Sequence, residues 1–500
     1  MNTIIINHAP LRSTAIFRAS KPESRIVLGD DARQAIVNGR TYLDNRLILN
    51  NTPVYGINTG FGALCNTRIP DEEITALQEN LVRSHACGLG DQVPDSIVRL
   101  MLFLKIKSLS YGHSGVCVET IERLIEMYNA EIYPVVYQLG SLGASGDLAP
   151  LAHLSLPLIG LGEAKWQGNL FSGADLNHAM GWNPLQLKSK EGLALLNGTQ
   201  FMSAYGAWLV NQSHHLWQWA TLIGAISIDA FNGRMDPFHE LLHQVRPHNG
   251  QMHTAALIRS YLQESLIATS SKTQVQDPYS FRCIPQVHGA SWDALQYVTH
   301  VLDIECNSVT DNPTIFQEQD LILSGGNFHG QPIALALDML CIAMHEIGSI
   351  SERRIYQLIN GHQNLPSFLT PNPGLHSGFM IVQYAAASAV SQSKMLCMPS
   401  SVDTIDSSMG QEDHVSMGAN AATKCYRVLE NTKRVLAIEL LTALQALEYR
   451  RPLTSSVAIE NLMNAFRKEI SFMTSDTYMK PAIDQSLQFI ESYTVEQAIQ

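Results

Sequence analysis

The residues best suited to chemistry stand in Gly140-Ser141-Leu142-Gly143-Ala144-Ser145-Gly146-Asp147-Leu148-Ala149-Pro150. Little side-chain bulk surrounds Ser145, so the backbone N of Gly146 can fold back onto the carbonyl carbon of Ala144. Ring closure with loss of two waters, one of them from the Ser145 side chain, would leave a five-membered ring bearing an exposed methylene. That is an electrophile made from the chain itself. A helix N-terminus beside it favours negative charge developing there. The competing reading is an ordinary turn, in which glycine supplies positive φ and Asp147 caps the next helix.

Other segments carry groups that can act on a ligand. In Pro53-Val54-Tyr55-Gly56-Ile57-Asn58-Thr59-Gly60-Phe61-Gly62, three glycines surround one tyrosine. This reads either as a plain turn with a packed aromatic or as a hydroxyl held over a site. Gln276-Asp277-Pro278-Tyr279-Ser280-Phe281-Arg282-Cys283 places a phenol and a guanidinium three residues apart. Arginine suits bidentate carboxylate binding, although most arginines are simply exposed. Ser408-Met409-Gly410-Gln411-Glu412-Asp413-His414-Val415-Ser416-Met417-Gly418 sets acids and a histidine before a long apolar stretch, as helix capping or as a site. Ser324-Gly325-Gly326-Asn327-Phe328-His329-Gly330 stands in the same relation to a second long stretch. His239-Glu240-Leu241-Leu242-His243 matches a zinc-hydrolase motif, with Glu264 downstream. Pro237 and Pro247 confine any helix there to a few turns, which argues against it.

The elements that position these groups read as helices. Residues 31–48 and 72–86 are periodic, the second ending in Ser84-His85-Ala86-Cys87-Gly88 with glycine as its stop. A lone histidine at a helix end is most simply a dipole-satisfied surface residue. Residues 94–128 read as two helices split at Tyr111-Gly112-His113-Ser114-Gly115, and 148–159 as a shorter one. A long apolar segment opens with Leu195-Leu196-Asn197-Gly198-Thr199-Gln200 and runs to about 228. Residues 328–359 and 415–448 are apolar nearly all round, so other helices must surround them. The first would run roughly 48 Å at 1.5 Å per residue, the length of a helical bundle. Residues 163–172 give one of few strand signals, a hairpin.

Composition bounds the partners. Net charge is −12 and pI about 5.8, which points away from nucleic acid. Charged residues are only 16%, less than the usual quarter, which fits surface buried in an oligomer. Eight scattered cysteines without a C-x-x-C fit reduced thiols in a cytoplasmic protein rather than disulfides or structural zinc. The N-terminal run from Met1 to His8 is too short and lacks the basic start of a signal peptide, and no clean apolar stretch predicts a membrane span.

Taken together, Tyr-Gly-Ile-Asn-Thr-Gly-Phe-Gly (55–62), Ser-His-Ala (84–86), Gly-Ala-Ser-Gly-Asp-Leu (143–148), Leu-Asn-Gly-Thr-Gln (196–200), Gln-Asp-Pro-Tyr-Ser-Phe-Arg-Cys (276–283), Gly-Gly-Asn-Phe-His-Gly (325–330) and Gln-Glu-Asp-His-Val-Ser-Met (411–417) resemble the aromatic amino acid ammonia-lyase family. The match runs from about Val54 to about Leu447. The resemblance implies a mainly α fold, a long antiparallel helical bundle of the fumarase/aspartase-like superfamily with minor β-hairpins. The expected division is a smaller N-terminal domain, 1–110, and a bundle domain, 111–500. It also implies a homotetramer with shared active sites, and a methylidene-imidazolone formed autocatalytically from Ala144, Ser145 and Gly146, with no metal. Tyr55 then resembles the family's base, its pKa lowered from about 10 by nearby positive charge. Arg282 would clamp the substrate carboxylate, while Asn197 and Tyr279 would hydrogen-bond the substrate or the prosthetic oxygen. Gln276 and Phe328 would line the pocket. His85 and the anionic Glu412 suit an imidazole ring, which points to L-histidine giving trans-urocanate and ammonia. A tyrosine or phenylalanine lyase, or an aminomutase, is the nearest alternative. A zinc hydrolase through His239 and His243 is the remote one.

Overall fold

The structure, a computed structural model, describes residues 2–49 and 53–500; Met1, which opens the N-terminal run, lies outside them. Two compact units form, and the chain visits each three times: Met1–Asn211, Thr299–Asp338 and Pro399–Thr423 in the first, Gln212–Val298, Met339–Met398 and Lys424–Gln500 in the second. Residues on both sides of the boundary placed at 110 lie in the first unit.

The expected helices form nearly where periodicity puts them, at Asp30–Leu49, Ile74–His85, Asp95–Leu109, Val118–Asn129, Gln331–Ile359 and Gly418–Glu448. The apolar stretch from 195 is broken by Asn197-Gly198-Thr199 into Glu191–Leu196 and the 32-residue helix Gln200–Phe231. The stretch after Asp147 is a helix, Leu148–Ser155, tightened into a 3₁₀ turn over Leu156–Ile159. Gly88 is not the stop of Ile74–His85: it lies beyond the C-cap Ala86, and its N–H donates to His153 Nε2 at 3.0 Å. Strands are short and confined to the first unit. Asn2–Ile6 pairs in parallel with Ser24–Leu28. The expected hairpin pairs Glu163–Trp166 with Asn169–Ser172. Its turn, Gln167-Gly168, holds two positive φ angles, as a tight right-twisted hairpin requires.

The second unit is a helical bundle. Trp217 Nε1 donates to the His288 carbonyl at 2.8 Å, Ser291 Oγ to Ala343 O at 2.9 Å, and Thr432 Oγ1 to Met344 O at 2.9 Å. Ser291–Ala343 with His288–Arg354, and Cys397–Cys341 with Gln383–Glu352, show Ile284–Glu305 and Met380–Leu396 running antiparallel to Gln331–Ile359, while Thr432–Met344 with Glu439–Arg354 show Gly418–Glu448 running with it. Gln331–Ile359 is long and apolar enough to cross a membrane by composition, but 67% of its most apolar window is buried within the protein. It behaves as a core helix and carries Arg354 inward.

Arg354 and Glu439 are both fully buried and meet as a forked pair, with Nη2 to Oε2 at 2.8 Å, and Ser227 Oγ donates to the same carboxylate at 2.7 Å. Such a pair is tolerated only because each charge is matched. Arg354→Met is therefore expected to lower unfolding free energy by about 3–5 kcal/mol by stranding the Glu439 charge. Arg354→Met with Glu439→Leu should recover most of that loss in urea titration.

Candidate active site

Two turns of the first unit press together to make the site. Gly146, at φ 75°, pairs with Gly198, at φ 123°. A Cβ on Gly146 would stand 2.2 Å from Gly198 O, so only glycine fits. Asp147 N donates to Gly198 O at 2.8 Å. The Asp147 carboxylate does not cap its own helix. Instead Oδ2 accepts from Phe201 N at 3.1 Å and Met202 N at 3.0 Å, capping Gln200–Phe231, and Oδ1 accepts from Ser141 Oγ at 3.0 Å. Burial pushes its pKa up to about 7 against the pull of those donors.

The junction fixes Asn197. Its Oδ1 accepts from the backbone N of Asn312 at 2.6 Å, and a backbone N–H can only donate. The other end of the amide is then Nδ2, which donates to the Ser145 carbonyl at 2.6 Å. Beneath, the buried Lys105 Nζ donates to Ala194 O at 3.1 Å and Asn197 O at 2.9 Å, serving carbonyls left open at the end of Glu191–Leu196. Its pKa falls to about 7, chiefly through burial.

Ser145 Oγ donates to Glu412 Oε1 at 2.7 Å, and Ser407 Oγ donates to Glu412 Oε2 at 2.9 Å. Ser407 and Glu412 also exchange backbone hydrogen bonds, at 2.9 and 3.2 Å, closing the loop that carries the carboxylate. Glu412 is thus no helix cap: Gly418–Glu448 has no acid in its first turn. Its neighbour Ser408 accepts from Ala63 N at 3.2 Å, joining this loop to the tyrosine loop.

Ser145, Asn197, Glu412, Tyr55, His85 and Phe328 all line one cavity of about 540 Å³. Asn312, Ser408, Asn80, Leu77, Leu81 and Leu193 complete much of its wall. Tyr55 OH accepts from Gly62 N at 3.3 Å. Burial is the largest influence on this phenol and raises its pKa, and the Glu412 charge raises it further. The expected lowering by positive charge is therefore reversed within this chain. Burial also lowers the His85 pKa, against the pull of the Glu412 charge.

Gln276, Tyr279 and Arg282 lie in the second unit and are not among the residues lining this cavity. Tyr279 and Arg282 share the short helix Tyr279–Arg282, with the guanidinium 4.4 Å from the centre of the phenol ring and Tyr279 71% exposed. The zinc motif does not present its histidines from one helix face. The helix is only Glu240–Gln244, His239 is its N-cap, and His243 bonds Pro237 O at 3.1 Å and Gln251 at 3.0 Å.

The bend at 143–145 suits a cyclised main chain: the Ser145 hydroxyl already faces a carboxylate acceptor, and the Ser145 carbonyl already has an amide donor.

The profile of the aromatic amino acid lyase family matches residues 11–468. The chain belongs to that family and is a carbon–nitrogen lyase of mainly helical fold. It is 44% identical to the histidine ammonia-lyase of Caldanaerobacter subterraneus over 100% of this chain and 98% of the relative. Among solved structures, the histidine ammonia-lyase of Trypanosoma cruzi superposes with a TM-score of 0.92 at 37% identity, over 100% of this chain and 95% of that one. Tyrosine aminomutase from Streptomyces globisporus gives 0.93 at 33% identity, over 99% and 98%.

Gly146→Ala tests the junction. The positive φ and the clash with Gly198 O should lower stability by about 2 kcal/mol or more in urea unfolding. An unchanged midpoint would mean the two turns do not meet as described.

Proposed function

We propose that this chain eliminates ammonia from L-histidine to give trans-urocanate. The observation that carries the reading is the meeting of Tyr55, His85, Asn197 and Glu412 around Ser145 in one cavity. Ala144, Ser145 and Gly146 would hold a methylidene-imidazolone as part of the main chain. That group supplies an electrophile that makes the substrate amine a leaving group.

The chain's own residues do the rest. Asn197 Nδ2 draws electron density toward the Ser145 carbonyl, and such a preoriented donor matters most where charge develops. Tyr55 removes the β-hydrogen of the substrate. Glu412 and His85 hydrogen-bond the substrate ring, and Phe328 packs beside it. A phenyl ring would leave both polar groups unpaired, at about 1–3 kcal/mol each.

Gln276, Tyr279 and Arg282 complete the site in a homotetramer whose active sites draw on more than one chain. Arg282 would clamp the carboxylate, and Tyr279 would hydrogen-bond at the reacting centre. Burial holds the Tyr55 phenol protonated in the single chain. Positive charge must therefore arrive with assembly, and the Arg282 guanidinium is the group to bring it. Exposure of Tyr279 on the single chain supports this arrangement.

Purified protein offered L-histidine, L-tyrosine and L-phenylalanine separately should release an ultraviolet-absorbing acrylate from histidine. Release from either other substrate in preference, or recovery of a β-amino acid, would overturn the assignment. Tyr55→Phe should lower kcat by about 10²–10⁴ while leaving the far-ultraviolet circular dichroism unchanged.

A further inference from the structure

Ser84 stands next to His85 at the C-terminal end of Ile74–His85, and both line the cavity. Its Oγ lies 3.0 Å from His85 Nδ1 and 3.3 Å from the Leu81 carbonyl oxygen. A carbonyl can only accept, so the hydroxyl hydrogen goes to Leu81 O and the oxygen turns a lone pair toward Nδ1. With its one hydrogen spent on Leu81 O, the Ser84 hydroxyl requires a hydrogen on Nδ1.

We propose that Ser84 is a positioning residue for substrate selection: it fixes His85 as the Nδ1–H tautomer, so that Nε2 offers a lone pair to the substrate ring. This deepens the histidine reading and rests on it. Burial lowers the ring's pKa against the pull of Glu412, which favours the neutral imidazole with one donor and one acceptor. With the donor spent at the helix end, only the acceptor remains for a ligand. Glu412 offers the cavity a second acceptor. Two acceptors select a side chain that donates N–H, as imidazole does. A pyridine ring of similar size, whose nitrogen only accepts, is turned away, and a phenyl ring satisfies neither group.

The substrate side of the test compares kcat/KM for L-histidine and for β-(3-pyridyl)-L-alanine on the full-length enzyme. In Ser84→Ala the ring is free to take the Nε2–H tautomer and donate. The histidine-to-pyridyl ratio should fall about tenfold, the worth of one hydrogen bond, with the histidine loss mainly in KM. Ser84→Thr keeps the hydroxyl and should restore the ratio. The tautomer is read independently from ¹⁵N shifts of histidine-labelled protein, assigned with His85→Gln. Wild type should show a protonated Nδ1, and Ser84→Ala should gain protonated Nε2. A protonated Nε2 in wild type, or a ratio and tautomer both unmoved in Ser84→Ala, would overturn the proposal. Failure of wild type to turn over histidine would instead count against the reaction assigned above, and the ¹⁵N result would still decide the tautomer.

Discussion

Everything at the site depends on two glycines that allow two turns to touch. Gly146 and Gly198 come close enough that a single methyl group would collide with a backbone oxygen. From that contact the Asp147 N–H reaches Gly198 O, and the Asp147 carboxylate reaches the N-terminus of Gln200–Phe231. The 144–147 turn is thereby anchored to the start of a long buried helix. The same contact sets Asn197 under the Ser145 carbonyl. A loop of small residues is ordinarily mobile; here it is held by hydrogen bonds at both ends, with Ser416 Oγ donating to Gly143 O and Met417 N to Leu142 O. Rigid placement of this kind is what electrostatic catalysis needs, because donors that must reorganise as charge builds give up much of their advantage.

Glu412 lines the cavity as an anion, and no lysine or arginine is among its described lining residues. Burial raises the Tyr55 pKa in the single chain, and the Glu412 charge raises it further. Lys105, buried beneath Asn197, spends its hydrogens on backbone carbonyls.

Much of this was legible in the sequence because long apolar helices carry a strong periodic signal. The extents of Gln331–Ile359 and Gly418–Glu448 follow from apolar side chains recurring at helical spacing along each. The glycine-rich turns around Tyr55 and Ser145 were legible for the opposite reason, since few structures need so little bulk. What was not legible depends on partners distant in the chain. Asp147 looks like a cap for Leu148–Ser155, yet it caps a helix that begins 53 residues later, at Gln200. Glu412 looks like a helix-capping acid, yet it closes a loop with Ser407 and meets Ser145. Asn312 and Lys105 carried no motif at all. Asn312 follows Asp311 and precedes Pro313, a turn signal, but nothing local says that its N–H orients Asn197. The charge around Tyr55 is likewise a property of the fold: burial and Glu412 raise its pKa in the single chain.

The most direct measurement is the mass of the peptide spanning residues 144–146 from mature protein. The account requires it to be two waters lighter than its sequence, and requires the corresponding Ser145→Ala peptide to have lost no such mass. An open, unmodified Ala144-Ser145-Gly146 in protein that still releases ammonia would contradict it.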